Sequence, residues 1–291
     1  MVDHEPLHTA LMLAKDLQLH TEGSMRNSLN EIVQLLNRAL DGHGGASEGD
    51  SALASASGSE DGTNYTQFIS FMVHEIRKPM TSIRGYADML DKRVVGDLND
   101  MQGQFVSTIR NNVISMERLV ADISDLTKMR SGRIRAENKM DLAKNILMDV
   151  EKQVVELAAE RSHELIFDVP DGLPLLNLDG NRAKQALVKL VENAIKYTPE
   201  GGHITVVARP VEGGLEVIVQ DNGVGMTPEE LDQLGELWFR GDDPLVTNSK
   251  GYGMGIPIAF ECMRLVNGRL FFESVKGHGS TFGVFLPGMG E

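Results

Sequence analysis

Residues 70–83 read SFMVHEIRKPMTSI, and the fold of the chain can be worked out from this stretch outward. Apolar residues recur around it at steps of three and four, the spacing of a helix with one buried face. They are Phe68, Met72, Ile76, Pro79, Ile83, Tyr86 and Leu90. At about 100° per residue, His74 lies on the opposite side of this helix. The sequence therefore predicts a long helix over residues 65–95 that displays His74 to solvent.

The residue after His74 gives this histidine a chemical interpretation. A lone histidine on a helix is commonly an ordinary surface residue. Here Glu75 follows directly, and a carboxylate beside an imidazole can hold one ring nitrogen protonated while the other stays free as a nucleophile. The pair is therefore a candidate reactive site.

A second amphipathic helix is predicted over residues 101–130. Its apolar stripe consists of Phe105, Ile109, Val113, Met116, Val120 and Ile123. Two long helices joined by a short loop form an antiparallel hairpin. Each stripe is too long for one hairpin to cover, so pairing with a second copy into a four-helix bundle is the economical solution. We therefore expect a homodimer.

Composition excludes several classes of protein. The 291 residues include 28 basic and 42 acidic ones, a formal charge of −14, which disfavours a nucleic-acid partner. The single cysteine, Cys262, lies in an apolar run and is expected to be a core residue of a protein in a reducing compartment. No run is long enough to span a membrane and no signal peptide is visible, so we expect a cytoplasmic location.

The pattern divides the chain into four parts. Residues 1–40 are compatible with a helical connector or dimer contact. Residues 41–63 are rich in glycine, serine and acidic residues and are expected to form a flexible linker. The hairpin occupies residues 64–131. Residues 132–291 form a second domain.

In the second domain helices alternate with strands that come mostly as antiparallel hairpins. We predict a short strand near Ile134 and strands over residues 164–169, 203–210, 215–220, 269–274 and 281–286. Helices are predicted over residues 141–161, 179–197, 228–235 and 256–266, with Asp179 as the N-cap of the second. This order indicates an α+β fold, a sandwich with helices on one face of the sheet.

Four short motifs lie in this domain: VENAIKYT (191–198), DNGVGM (221–226), GYGMG (251–255) and GHGSTF (277–282). Each alone is a weak signal, because glycines more often serve turns. Together they describe a phosphate-binding arrangement, since glycines between a strand and a helix leave backbone N–H groups free. An aspartate at a strand end can accept from an adenine amine, and an asparagine can ligate Mg²⁺. The motifs therefore predict an ATP site with a mobile lid.

HEIRKPM followed by NAIKYT, DNGVGM, GYGMG and GHGST, over residues 65–287, resembles the transmitter core of two-component sensor histidine kinases. The resemblance implies a dimerisation and histidine-phosphotransfer hairpin followed by a Bergerat-type ATP-binding domain. It implies ATP-dependent autophosphorylation, with Mg²⁺, and phosphotransfer to an aspartate of a response regulator receiver domain.

The resemblance also implies roles for individual residues. His74 is the implied phosphoacceptor, Glu75 orients its ring, and Asn193 binds Mg²⁺. Lys196 is the implied contact at the phosphates, and Tyr197 covers the adenine. Asp221 reads the adenine amine, with Gly223 and Gly225 allowing its close approach, and Thr281 lies at the adenine end. The remaining implied ATP contacts are Arg240 and the lid glycines Gly251, Gly253 and Gly255. For Lys196 and Tyr197 the ordinary alternatives are a solvated lysine and a core aromatic residue.

Three positions depart from the family pattern. Lys78 replaces a threonine or asparagine that positions water in many members, which predicts weak phosphatase activity. Lys189 replaces a second asparagine and is expected close to Mg²⁺ or the triphosphate, and Leu237 replaces an arginine that often meets the γ-phosphate. These departures keep an alternative open, a degenerate kinase that acts as a nucleotide-binding or docking dimeric scaffold. An ATPase clamp of the same Bergerat-type architecture is disfavoured by the HEIRKPM hairpin.

Overall fold

The computed structural model describes residues 61–249 and 251–288, with side chains from residue 69 onward. The predicted connector and all of the predicted linker except residues 61–63 lie outside the described residues. Within the described part of the chain, no helix combines the length and the apolar character that a membrane span requires. The described residues form a helical hairpin followed by a mixed helix and strand domain, which confirms the predicted α+β fold class.

The hairpin consists of helix α1 (Asp61–Asp91) and helix α2 (Asp100–Arg130). Helix α1 ends four residues before the predicted position, because Arg93 and Gly96 adopt positive φ values of 56° and 125° that a right-handed helix cannot contain. Helix α2 begins at a capping box in which Asn99 and Gln102 satisfy each other's backbone N–H groups. The turn and this cap together fix where the chain reverses.

The seam between the two helices has a repeat of seven residues. Along the seam, the buried residues are Val73, Met80 and Ala87 on α1 and Val106, Val113 and Val120 on α2. This is the heptad spacing of helices that pack side by side along their length. The seam accounts for one apolar face of each helix.

The stripe that the sequence predicts as buried lies only partly in the seam of this hairpin, through Val113 and Val120. Ile83 and Tyr86 on α1, and Phe105, Ile109 and Met116 on α2, are exposed in the single chain. The sequence analysis expected one hairpin to leave part of each stripe uncovered, and these side chains are the part that the predicted dimer concerns. The seam residues Val73 and Met80 on α1 were missed, because they lie beside the predicted stripe and periodicity alone does not tell which face meets the nearer helix.

The second domain contains five further helices and seven strands within the described residues. In chain order they are β1 (Lys139–Leu142), α3 (Ala143–Ala159), β2 (Glu164–Asp168), β3 (Leu175–Leu178), α4 (Gly180–Tyr197), β4 (His203–Val211), β5 (Gly214–Asp221), α5 (Pro228–Asp232), α6 (Pro244–Asn248), α7 (Gly255–Leu265), β6 (Arg269–Val275) and β7 (Gly279–Pro287). The main sheet has the order β2-β4-β5-β7-β6, with β2 and β4 parallel and the other pairs antiparallel. Strands β1 and β3 form a separate antiparallel pair.

Helices α3, α4 and α7 share one core with a single face of the main sheet. Alternate residues of β4, β5 and β7 are buried there, among them Val206, Val217 and Val284. Such alternation is typical of an antiparallel sheet with one covered face. Cys262 on α7 is fully buried in the same core, as predicted.

The predicted elements differ from the structure in three places. The strand expected near Ile134 is absent there, and β1 lies at Lys139–Leu142 instead. Strand β3 lies in a stretch for which the sequence indicated no strand, and the short helix α6 was also missed. Strands β1 and β3 have four residues each and are held by pairing with one another, so neither carries a periodic signal of its own.

Helix α4 is the element that brings the core and the candidate site together. Asp179 caps it by accepting from the N–H groups of Asn181 and Arg182, in agreement with the predicted N-cap. Its buried face consists of Ala183, Ala186, Leu187, Leu190, Val191, Ala194 and Ile195. The opposite face is left for polar residues.

Leu190→Ala tests how much the domain depends on this buried face. Leu190 has no exposed surface, so the truncation should leave a cavity and lower the free energy of unfolding by about 2–5 kcal/mol. Val155→Ala on the exposed face of α3 is the matched control and should change it by less than about 0.5 kcal/mol. Urea unfolding followed by circular dichroism measures both variants, and equal effects would contradict this account of the core.

Candidate functional site

His74 lies on the outside of α1, and 66% of its side chain is exposed. Its Nδ1 is 3.2 Å from Oε1 of Glu75, and Nζ of Lys78 donates to the same oxygen at 2.7 Å. The hydrogen bond from Lys78 and then that from His74 lower the pKa of the Glu75 carboxyl, so this group is ionised at neutral pH. An ionised carboxylate only accepts, so in this contact Nδ1 is the donor, and the tautomer of the neutral imidazole that fits it has its lone pair on Nε2.

Asp221 lies at the end of β5, where it is buried. Its carboxylate accepts from the N–H groups of Gly223, at 2.8 Å, and Ser280, at 3.2 Å. Burial raises the pKa of the carboxyl from 3.8 to about 6, although both hydrogen bonds lower it. Burial destabilises the charged form of this carboxyl, so a ligand that donates a hydrogen bond to it would stabilise that form.

The glycines of the loop after Asp221 allow close contact between backbones. A Cβ at Gly223 would lie 2.4 Å from the carbonyl oxygen of Tyr197, and one at Gly225 would lie 2.0 Å from that of Val275. Val224 donates its N–H to the same Tyr197 carbonyl at 3.0 Å. The loop is thus held against the end of α4, and only glycine fits at these two positions.

Gly279 and Ser280 are site residues to which the sequence reasoning gave no role. Gly279 has a φ of 92°, and a Cβ there would lie 2.0 Å from the carbonyl oxygen of Asp221. Both residues belong to the GHGSTF motif, of which only Thr281 was assigned. The motif itself was the available signal, but the contact with Asp221 depends on the pairing of β5 with β7, where Asp221 lies opposite Ser280 and Gln220 lies opposite Thr281.

The exposed face of α4 carries the polar residues that the sequence singled out. Asn193 lies beside Gly255 at the beginning of α7, where an added Cβ would lie 3.2 Å from both atoms of its amide. Burial is the largest cause of the lowered pKa of Lys196 and of the raised pKa of Tyr197. The three side chains are therefore partly enclosed, which does not fit the alternative of a solvated Lys196, whereas the alternative of a core aromatic residue at Tyr197 stays open.

The sequence placed Lys189 close to Mg²⁺ or the triphosphate, and in the structure its partner is a carboxylate of the hairpin. Its Nζ donates to both carboxylate oxygens of Asp122 on α2, at 2.9 Å and 2.8 Å. The closeness of Lys189 to Mg²⁺ or the triphosphate stays a prediction. The contact with Asp122 was not foreseen, because it joins two helices whose residues are 67 positions apart in the chain.

Arg240 and the lid glycines form a second group. The Arg240 guanidinium donates to the carbonyl oxygens of Val246 and Ser249, so it binds the backbone at the end of α6. Gly253 has a φ of 66°, and a Cβ there would lie 2.5 Å from the carbonyl oxygen of Phe239. The ideal Cβ position of Gly251 lies 3.8 Å from the Tyr197 hydroxyl. A ligand role for Arg240 thus stays a prediction.

The amide oxygen of Asn193 is a suitable ligand for Mg²⁺. Among the described residues, the Asn193 amide has no hydrogen-bond partner, and no cluster of three or more histidine, cysteine or acidic side chains could hold a metal ion. Mg²⁺ keeps most of its water and takes few protein ligands when phosphates supply the rest. An uncommitted amide oxygen beside a glycine suits that need.

Comparisons with known proteins agree with this division into two parts. Residues 65–132 match the family model described as "His Kinase A (phospho-acceptor) domain". Residues 178–289 match the one described as "Histidine kinase-, DNA gyrase B-, and HSP90-like ATPase". The two models together match more than half of the chain.

Two curated relatives illustrate the similarity. Histidine protein kinase DivJ of Caulobacter vibrioides is 29% identical over 76% of this chain and 37% of its own length. Phosphate regulon sensor protein PhoR of Pseudomonas aeruginosa is 32% identical over 74% of this chain and 48% of its own length. The chain thus spans about half or less of the length of these relatives.

Solved structures share the fold. Full-length ShkA in complex with AMPPNP superposes with a TM-score of 0.65 at 23% identity, over 76% of this chain and 46% of that one. Histidine kinase AdeS of Acinetobacter baumannii superposes with a TM-score of 0.53 at 18% identity, over 75% of this chain and 98% of that one. At these identities the likeness concerns the fold alone.

The raised pKa of Asp221 makes the stability of the ligand-free chain depend on pH. The folded chain binds the proton more strongly than the unfolded chain, so this residue lowers stability as pH rises from about 4 to about 6. Asp221→Asn removes the buried charge. It should raise the free energy of unfolding by about 1–3 kcal/mol at pH 7.5 and by about half as much at pH 5.

Thermal unfolding of both proteins at the two pH values measures this difference. Asp168→Asn, at an exposed carboxylate at the end of β2, is the control and should change stability little at either pH. A gain for Asp221→Asn of the same size at pH 5 and pH 7.5 would contradict the burial of a charge.

Proposed function

Because the chain belongs to the two-component sensor histidine kinases, whose transmitter core its two matched domains form, we propose that it phosphorylates itself on His74 with ATP. It then passes the phosphoryl group to an aspartate of a response regulator receiver domain that docks on the hairpin. The observation that carries this proposal is the exposed His74 imidazole, whose Nδ1 faces an ionised Glu75 and whose Nε2 is free.

The geometry around His74 suits nucleophilic attack on phosphorus. Nε2 forms the new bond to the γ-phosphorus, the bond from that phosphorus to the bridging oxygen breaks, and ADP leaves. The imidazole would become cationic in this step, and Glu75 offsets that charge by accepting the Nδ1 proton. Phosphoryl transfer depends mainly on positioning and charge neutralisation, so an oriented imidazole is the principal contribution of the hairpin.

The second domain supplies the nucleotide site in this proposal. Asp221 accepts from the adenine amine, and Asn193 holds Mg²⁺, which when bound neutralises charge on the phosphates. The further proposed contacts are those of Lys196, Tyr197, Gly223, Gly225, Arg240, Gly251, Gly253, Gly255 and Thr281. Support comes from the enclosed acceptor at Asp221 and from its contacts with Gly223 and Ser280.

We also propose that the hairpin dimerises. Large apolar side chains are exposed on both of its helices, away from the seam. They are Phe71, Ile83, Tyr86 and Met89 on α1 and Met101, Phe105, Ile109 and Met116 on α2. A second copy would bury this surface in a four-helix bundle. The cytoplasmic location stays a prediction from the sequence.

Incubation with ATP labelled on the γ-phosphate tests the proposed reaction. The wild-type chain should incorporate label that is stable in base and lost in acid, as expected for a phosphoryl group on imidazole nitrogen. His74→Ala should lose more than about 99% of the label because no nucleophile remains. His203→Ala removes another exposed histidine and should keep it.

Label retained in His74→Ala would refute His74 as the acceptor. A wild-type chain that binds nucleotide and takes up no label would favour the degenerate scaffold instead.

Lys78 is proposed to keep phosphatase activity low. Its ammonium is paired with Glu75 and offers no acceptor to a water molecule, whereas a threonine hydroxyl both donates and accepts. Lys78→Thr should increase phosphate release from a phosphorylated receiver domain by about tenfold or more. Lys152→Thr, at an exposed position on α3, is the control. Equal release by wild type and Lys78→Thr would contradict this role.

A further inference from the structure

The face of α4 that carries Asn193 is tied to α2 by charged contacts. Lys189 binds both carboxylate oxygens of Asp122, and the two side chains are only 20% and 26% exposed. Toward the beginning of α4, the guanidinium of Arg182 and the amide of Gln185 reach Asp125, at 3.5 Å and 3.1 Å. Two carboxylates of the hairpin thus accept hydrogen bonds from the polar face of the helix.

This face is also the one proposed to meet the nucleotide. Lys189, Asn193 and Lys196 are spaced by four and three residues, which places them on one side of α4. Asp122 also acts on Lys196, whose pKa is lowered first by burial and is raised in part by Glu192 and Asp122. The hairpin carboxylate therefore neutralises charge on the surface where the triphosphate is expected.

Lys189 is directed at Asp122, and its charge is balanced there. Both carboxylate oxygens accept from its Nζ, which uses two of its three N–H groups, and a largely buried ammonium needs a counter-charge close by. A triphosphate carries several negative charges and would be the stronger partner one helical turn away, beside Asn193. The two anions are alternatives for the same cation.

We propose that Asp122 is an internal competitor of the ATP triphosphate for Lys189, so that the hairpin weakens nucleotide binding through this single ion pair. The inference rests on the proposed function, because it takes ATP as the ligand of this face. Leu126 and Met129 of α2 lie in the core shared with α3, α4 and α7, so the two parts stay together when the pair exchanges. Asp122 acts through Lys189 and is a positioning residue.

Asp122→Ala should tighten the binding of a fluorescent non-hydrolysable ATP analogue with Mg²⁺ by about threefold to tenfold, the effect of removing one competing ion pair. Glu117→Ala is the matched control, because Glu117 lies on the same helix and pairs with Arg84 inside the hairpin at 2.7 Å. It should leave the affinity unchanged. An affinity that is unchanged or weaker in Asp122→Ala would overturn the inference.

A double-mutant cycle separates competition from a general effect on structure. Lys189→Ala alone should weaken binding, since a phosphate contact is lost. In the Lys189→Ala background, Asp122→Ala should no longer tighten binding, because the cation that the two anions share is gone. Equal tightening with and without Lys189 would show that Asp122 acts by another route and would overturn the inference.

A third measurement needs neither ATP nor activity. Acylation of lysines by an N-hydroxysuccinimide ester, followed by peptide mass spectrometry, should be several times faster at Lys189 in Asp122→Ala than in wild type, with exposed Lys152 as the internal reference. Unchanged Lys189 labelling would overturn the ion pair itself. If no variant bound nucleotide, the proposed function and the competition would fail together, while the labelling would still decide whether the pair exists in solution.

Discussion

The burial of one face of α4 on the main sheet is the constraint on which the rest of the site depends. Leu187, Leu190 and Val191 are almost without exposed surface, so the rotation of the helix about its axis is fixed. Because side chains three and four residues apart share a face, the same rotation places Lys189 and Asn193 together on the other side. The chemistry of this face thus follows from the packing of the opposite one.

The site is also shaped by how its charges are balanced without a ligand. Two cationic side chains that the sequence assigned to the nucleotide site pair with protein groups in the structure: Lys189 with Asp122, and Arg240 with the carbonyl oxygens of Val246 and Ser249. A third, Lys196, is partly enclosed, and burial lowers its pKa. A cation that leaves water needs such partners, since an unpaired one would shift its pKa or destabilise the fold. Asp221 is the exception, because its buried carboxyl is met only by neutral N–H groups and its pKa rises to about 6.

The sequence predicted most of this fold and part of the site, and the failures have a common cause. The long elements with their own periodicity, such as α2 and α4, were found almost at their true bounds, and Asp179 was recognised as a cap. What was missed depends on contacts between distant segments. Strands β1 and β3 exist by pairing with each other, Gly279 matters through its approach to Asp221, and Lys189 meets a hairpin residue 67 positions earlier in the chain.

In the hairpin, too, the sequence did not reveal a contact between side chains: one carboxylate oxygen contacts two partners. Periodicity predicted correctly that His74 faces solvent, but it could not show that Glu75 Oε1 contacts both His74 Nδ1 and Lys78 Nζ. An ammonium on that oxygen holds the carboxylate ionised and so favours the tautomer with a free Nε2. It also draws electron density from the group that must accept the Nδ1 proton, which makes Glu75 a weaker base. In the proposed reaction, Lys78 would therefore favour the imidazole tautomer that attacks phosphorus and would weaken Glu75 as the acceptor of the Nδ1 proton.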